Sequence, residues 1–178
     1  MTQRKFFALV LRAGLAAPAT ACLFQLPAAA TPGNGTHTTA IGVGTSAAFT
    51  VERRDRDANG VVDWQFRAKV PQPLDITTVL NTFDPGGYSG WHSHPGPVYV
   101  TVLSGTLTVY EGTDPQCTPH TYTTGQAFVD GECNGFFHMA KNWSTDTPVN
   151  LVVTYTGPVG AATRIDHDDP NNPNCPQF

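Results

Sequence analysis

The sequence predicts an all-β fold, a sandwich or barrel built from many short strands. Glycine and proline are frequent, with 17 and 15 residues, while charged residues make up only 13% of the 178-residue chain. Such a composition favours tight turns between strands over long surface helices. Short runs rich in β-branched residues follow one another from Leu74 onward, and no apolar stripe at the helical period follows the leader. An eight-stranded double-sheet jelly roll suits this number of strands.

Two early strands are predicted on either side of a tight turn. Residues 48–51 and 61–70 have strand character and flank Asn59-Gly60, a pair typical of hairpin turns. The stretch from Asp55 also imitates the start of a calcium loop. Phe66, however, stands at the twelfth position, where a bidentate glutamate is needed, so we expect a plain turn.

The later strands are predicted at short spacing. Asp84-Pro85-Gly86-Gly87 indicates a turn, and Ser104-Gly105 indicates a break between two strands. The expected strands span residues 74–83, 88–94, 98–103, 106–110, 121–123, 126–129, 136–140 and 149–155. Because no internal repeat is present, we expect a single barrel.

The first thirty residues are typical of an export signal. Arg4 and Lys5 form a short positive head, residues 6–11 begin an apolar core, and Ala28-Ala29-Ala30 offers the small residues that a signal peptidase accepts. We therefore expect a secreted or periplasmic protein. Lipid anchoring at Cys22 is a minor alternative, since the residue three positions before it is alanine where leucine is usual.

Charge and length suggest the partners and the domain limits. The net charge is −4 for the whole chain. Cleavage after Ala30 would leave seven basic against fourteen acidic residues, a net of −7. We expect neither nucleic-acid binding nor a membrane span. The predicted organisation is a signal peptide over 1–30, a flexible linker over 31–45, the barrel over 46–166 and a tail over 167–178.

Three cysteines remain after the predicted signal peptide. We favour a disulfide between Cys117 and Cys175, because both lie in proline-rich, loop-like segments and an exported protein meets an oxidising compartment. Cys133 could instead pair with Cys117, stay a reactive thiol or approach a metal.

Three histidines form a candidate metal site. His92 and His94 are two residues apart, so on a strand both imidazoles point to the same face. His138, on a later predicted strand, could complete a triangle with them inside the barrel. Three imidazoles on a rigid scaffold leave coordination positions open for a substrate. The alternative is that His92 and His94 decorate an exposed turn.

The spacing around the first two histidines resembles the first motif of the cupin superfamily. That motif reads glycine, five residues, His-x-His, three or four residues, glutamate, six residues, glycine. Gly86, His92, His94 and Gly105 match it, and Val98 stands at the glutamate position. Because valine cannot coordinate, this resemblance implies either an all-nitrogen site with the full charge of the ion or a pocket that has lost its metal.

The second cupin motif is similar around the third histidine. Gly135, His138 and Asn142 match its spacing, while Cys133 stands where proline is expected. Residues 85–97 also resemble small exported bacterial cupins of the type-2 kind. Glu132, in a predicted loop, is a weak candidate for the missing carboxylate.

The resemblance implies a single double-stranded β-helix barrel with a metal near one mouth. The implied ligands are His92, His94 and His138, and the implied ion is divalent iron, zinc, nickel or copper. A small-molecule dioxygenase or another metal-dependent enzyme is the first expectation, and a non-catalytic binding module is the alternative. A small-molecule ligand and a possible homodimer are the expected partners.

Overall fold

The computed structural model describes residues 32–130 and 136–177, which form twelve β-strands and no helix. The predicted signal peptide, Cys22, Glu132 and Cys133 lie outside this range. No helix within it is long and apolar enough to cross a membrane. The strands are β1 (Asn34–Ser46), β2 (Phe49–Arg56), β3 (Val62–Val70), β4 (Leu74–Tyr88), β5 (His92–Ser93), β6 (Val98–Ser104), β7 (Thr106–Glu111), β8 (His120–Thr123), β9 (Ala127–Asp130), β10 (His138–Lys141), β11 (Val149–Pro158) and β12 (Ile165–Asp166).

Ten strands form one antiparallel sheet that folds over into a nearly closed barrel. One side has the order β1-β4-β11-β6-β9, and the other has the order β8-β7-β10-β5-β12. The two sides meet where Lys141 of β10 pairs with Tyr88 of β4. This arrangement confirms the predicted all-β jelly-roll barrel.

The barrel core follows the two-residue period of its strands. In β6, Val98, Val100 and Val102 are buried, while the alternate residues Tyr99, Thr101 and Leu103 are exposed. Gly105 then reverses the chain into β7 with a φ of +84°, and a Cβ there would lie 2.7 Å from the carbonyl oxygen of Pro148. The buried apolar residues of the barrel are Val79, Phe83, Val98, Val100, Val102, Leu107, Val109, Ala140, Val149, Leu151 and Val153.

The segment predicted as a flexible linker over 31–45 is largely a strand. β1 pairs antiparallel with β4 from Asn34 opposite Tyr88 to Ser46 opposite Leu74. The linker prediction is wrong here because a Gly/Thr-rich composition hides a strand that is mostly exposed and lies at the sheet edge. The predicted turn at 84–87 is also wrong as a reversal, since these residues form an irregularity within β4 at which the pairing with β1 shifts.

The predicted hairpin exists, but it lies outside the barrel sheet. β2 and β3 pair only with each other and form a separate two-stranded sheet. Its turn is fixed by Asp57, whose Oδ1 accepts hydrogen bonds from the backbone N–H groups of Asn59 and Val61, each at 2.9 Å. The pairing of β1 with β4 ends at Ser46 opposite Leu74, and the pairing of β2 with β3 begins at Phe49 opposite Val70. β2 and β3 therefore continue the two-stranded ribbon of β1 and β4 beyond the barrel sheet. We call β2, β3 and their turn, residues 49–70, the arm.

The carboxyl-terminal tail is tied to the barrel. The predicted disulfide between Cys117 and Cys175 is confirmed, with a Cα–Cα distance of 5.1 Å. Both cysteines belong to a second buried cluster with Trp91, Tyr110 and Met139. Trp91 directly precedes His92, so the tail packs behind the start of β5.

Removing the disulfide should destabilise the protein without changing the barrel. We expect Cys117→Ser/Cys175→Ser to lower the free energy of unfolding by at most about 4 kcal/mol, because the bond closes a loop of 58 residues. Guanidinium unfolding under non-reducing conditions measures this loss, and the reduced parent protein serves as the control. Equal unfolding midpoints for parent and variant would contradict the structural role of the bond.

Candidate functional site

The three predicted histidines come together at one end of the barrel interior. His92 begins β5, His94 directly follows it, and His138 begins β10 in register with His92. Ligand nitrogens from the three rings all lie within 4.8 Å of one another. Their side chains are almost fully buried, so the expectation of an exposed turn does not hold.

Two of the rings are oriented by backbone carbonyls. The Nδ1–H group of His92 donates to the carbonyl oxygen of Gly90 at 2.9 Å, and that of His94 donates to the carbonyl oxygen of Thr163 at 2.6 Å. A neutral imidazole with a protonated Nδ1 presents a lone pair at Nε2. Hydrogen bonds of this kind are the ones that orient metal-ligating histidines.

Burial keeps these two rings in the neutral form. Loss of hydration lowers the pKa of His92 well below its ordinary value, and the nearby His138 and Arg164 lower it further. Burial also lowers the pKa of His94, against the opposing effect of its hydrogen bond to Thr163. Both imidazoles are therefore available as lone-pair donors at neutral pH.

A buried carboxylate completes the cluster. Asp130, the last residue of β9, places its Oδ2 atom 2.8 Å from His138 Nε2 and 3.7 Å from His94 Nε2. A carboxylate oxygen that the sequence analysis did not anticipate therefore lies beside the three imidazoles. Alternation along β9 could have found this residue, because Asp130 shares a face with the inward-facing Phe128.

The cluster opens into a cavity of about 450 Å³ inside the barrel. About half of its lining residues are aliphatic or aromatic, and most of the others are polar or charged. Tyr155 lies beside the cluster, with its ring 5.2 Å from that of His94, and its hydroxyl accepts a hydrogen bond from Asn81 at 3.3 Å. Burial raises the pKa of Tyr155, so its phenol stays protonated. Arg164 brings the one cation among the described lining residues.

The surrounding residues have supporting rather than chemical roles. Asn142 is fully buried, and its Nδ2 group donates to the carbonyl oxygens of Phe83, Asp84 and Thr147. These contacts fix the end of β10. Trp91 is fully buried and belongs to the second apolar cluster. Val98 faces the cavity directly opposite Asp130.

The part of the chain that contains the histidine cluster matches a known domain family. Residues 79–155 match the family model of the cupin domain, and this range contains all three histidines and Asp130. The chain contains a cupin domain. The predicted membership of the cupin superfamily is thereby confirmed.

Several solved structures are similar to part of this chain. An uncharacterized conserved protein with a double-stranded β-helix domain from Klebsiella pneumoniae is 21% identical, with 52% of this chain and 70% of that chain covered and a TM-score of 0.42. An RmlC-like cupin from Shewanella frigidimarina is 18% identical, covering 49% and 78%, with a TM-score of 0.39. A DMSP lyase from Ruegeria pomeroyi is 18% identical, covering 51% and 42%, with a TM-score of 0.42. No curated protein matches this cupin in sequence.

The cavity should be open to an apolar probe. Val100 faces the cavity, so Val100→Phe should fill part of it and weaken binding of anilinonaphthalene sulfonate several-fold. Fluorescence titration measures the change. Val129→Phe, on the exposed outer face of β9, is the matched control and should bind like the parent. Equal probe affinity in all three proteins would show that the probe binds elsewhere.

Proposed function

We propose that this cupin is an exported protein that binds one divalent transition metal through His92, His94 and His138. The bound ion would act on a small organic molecule in the barrel cavity. The observation that supports the metal site is the pair of Nδ1–H hydrogen bonds to backbone carbonyls, because they leave the Nε2 lone pairs of His92 and His94 facing the cluster.

The donor set suits iron, zinc, nickel or copper better than calcium or magnesium. Imidazole nitrogen is a borderline ligand, whereas calcium and magnesium prefer oxygen. A bound ion of this kind supplies a Lewis acid with open positions, and a redox-active one supplies oxygen chemistry.

The cavity favours a small substrate with an apolar part and an oxygen-bearing group. The aliphatic part of the wall excludes water and holds the apolar part of such a molecule. The protonated phenol of Tyr155 can donate a hydrogen bond to its oxygen. Arg164 at the cavity wall is paired with Asp166.

Export is supported by the disulfide as well as by the leader sequence. Stable disulfides are rare in reducing compartments and common in secreted and periplasmic proteins. The bond between Cys117 and Cys175 is therefore consistent with cleavage of the leader and release into an oxidising environment.

A binding module without turnover is the second candidate. It is favoured by Val98 at the position of the motif glutamate and by cavity walls that are largely apolar away from the cluster. Saturable ligand binding without turnover after loading with each transition metal in turn would move this candidate into first place.

The metal site is tested by elemental analysis of protein purified without a histidine tag. We expect about one transition-metal ion per chain in the parent and a sharp loss in His138→Ala. His120→Ala, an exposed histidine on β8, is the matched control and should keep the metal. The same measurement narrows the chemistry, since iron indicates oxygen-dependent reactions and zinc or nickel indicates Lewis-acid reactions.

Two outcomes of the elemental analysis would contradict the proposed metal site. A parent protein without metal, even after incubation with iron, zinc, nickel and copper salts, would exclude the site. Equal metal content in the parent and in a folded His138→Ala variant would exclude the assigned ligand.

A further inference from the structure

We propose that Asp130 is a fourth ligand of the metal site and supplies from β9 the carboxylate that Val98 cannot supply from β6. This inference rests on the proposed function, because it concerns the same ion. It is independent of the cupin motifs, in which Asp130 has no place.

The distances around Asp130 are close to those of a shared ion. Two donor atoms that each lie about 2.1 Å from one ion are separated by roughly 3.0 to 3.4 Å in common geometries. The Oδ2 atom of Asp130 lies 2.8 Å from His138 Nε2 and 3.7 Å from His94 Nε2, just below and just above this range. The carboxylate is only 6% exposed, so it lies within the buried site.

A cation between Asp130 and His94 would also stabilise their contact. The Nδ1–H group of His94 is committed to the carbonyl of Thr163, so in the neutral ring Nε2 carries a lone pair. That lone pair faces a carboxylate oxygen at 3.7 Å, and two buried acceptors facing each other repel. A cation between them replaces this repulsion with two attractions.

The strand pairing explains how the carboxylate reaches the site. Val98 and Asp130 lie directly opposite each other on β6 and β9. Directly opposed residues in an antiparallel pair have Cβ atoms only about 5 Å apart. A carboxylate can therefore enter the same space from either strand, and here it enters from β9.

The role of Asp130 is tested with the metal alone, by titrating Zn²⁺ and Co²⁺ into the apo forms of the parent and three variants. Asp130→Asn keeps the shape and removes the charge, and we expect it to weaken Zn²⁺ binding at least about 10-fold. It should also change the visible bands of the Co²⁺-loaded protein, which report the donor set. Val98→Glu/Asp130→Ala moves the carboxylate to the opposite strand and should restore most of the affinity. Asp146→Asn, on an exposed loop, is the control and should bind like the parent.

The possible results distinguish a failure of the Asp130 assignment from a failure of the proposed metal site. Equal Zn²⁺ affinity in the parent and Asp130→Asn would overturn the role of Asp130 and leave the three-histidine site in place. Weaker binding with unchanged Co²⁺ bands would also overturn it, because Asp130 would then only orient His138. A parent that binds neither ion would overturn the proposed function itself.

A second inference concerns the arm, and it rests on a different observation. We propose that the arm is a dimerisation element that packs its apolar face against the body of a second copy of this chain. Alternation places Val62, Trp64 and Phe66 of β3 on one face, and Trp64 and Phe66 are 57% and 41% exposed. An isolated two-stranded hairpin is only marginally stable in water, so this face requires a partner.

Charge complementarity favours a second copy as the partner. The arm carries five basic and four acidic residues, a net charge of +1. The remainder of the chain from residue 31 onward carries two basic and ten acidic residues, a net charge of −8. A basic arm on one copy is therefore attracted to the acidic body of another. The basic residues of the arm are Arg53, Arg54, Arg56, Arg67 and Lys69.

The body offers a matching surface next to the arm. On the barrel side of the same ribbon, β1 has one edge without a strand partner among the described residues, and its Ile41 and Val43 are 61% and 69% exposed. Long exposed edges of this kind are ready to associate with another chain. A two-fold axis would let each arm cover the edge of the partner and bury both apolar surfaces at once.

The oligomeric state tests this inference. We expect the purified parent to sediment as a dimer that weakens with rising salt, since opposite charges contribute to the contact. Trp64→Ser/Phe66→Ser should sediment as a monomer. Leu103→Ser/Val129→Ser removes two exposed apolar side chains from the outer face of β6 and β9 and should remain a dimer. A monomeric parent, or a dimer that persists in the arm variant, would overturn the inference.

Discussion

The candidate site depends above all on the four-residue strand β10. It forms bridges to β4, β5 and β7, and all four of its residues are buried. Asn142, the next residue, anchors the strand through three carbonyl contacts. Because β10 joins the two sides of the barrel and begins with His138, the closure of the barrel and the convergence of the histidines are one structural event.

Low polarity around the site gives the buried groups their chemical character. Imidazoles enclosed by aliphatic side chains lose hydration, so the neutral form is favoured and the lone pairs stay available. The same surroundings strengthen every electrostatic interaction with an ion or an anionic substrate. The phenol of Tyr155 is kept protonated for the same reason. Burial thus keeps the imidazoles of His92 and His94 neutral and the phenol of Tyr155 protonated.

The sequence predicts well wherever a local rule applies. The period of two marks β6 and β11, the His-x-His spacing marks one face of a strand, and the loop-like setting of Cys117 and Cys175 favours their bond. Strand β1 was not predicted, because its exposed glycines and threonines are typical of a linker. The position of Asp130 beside the histidines was not predicted, because it results from the pairing of β6 with β9 and from barrel closure. The contact with the carbonyl of Thr163 could not be predicted from residue types, since every residue has a backbone carbonyl.

The hydrogen bond from His94 to Thr163 has a consequence for the timing of assembly. Thr163, strand β12 and Cys175 all belong to the last sixteen residues of the chain, yet they hold rings and strands encoded some seventy residues earlier. Chains are synthesised from the amino terminus, so the histidines emerge long before their supports. The histidine cluster therefore gains its backbone and disulfide supports only after residues 163–175 have been synthesised.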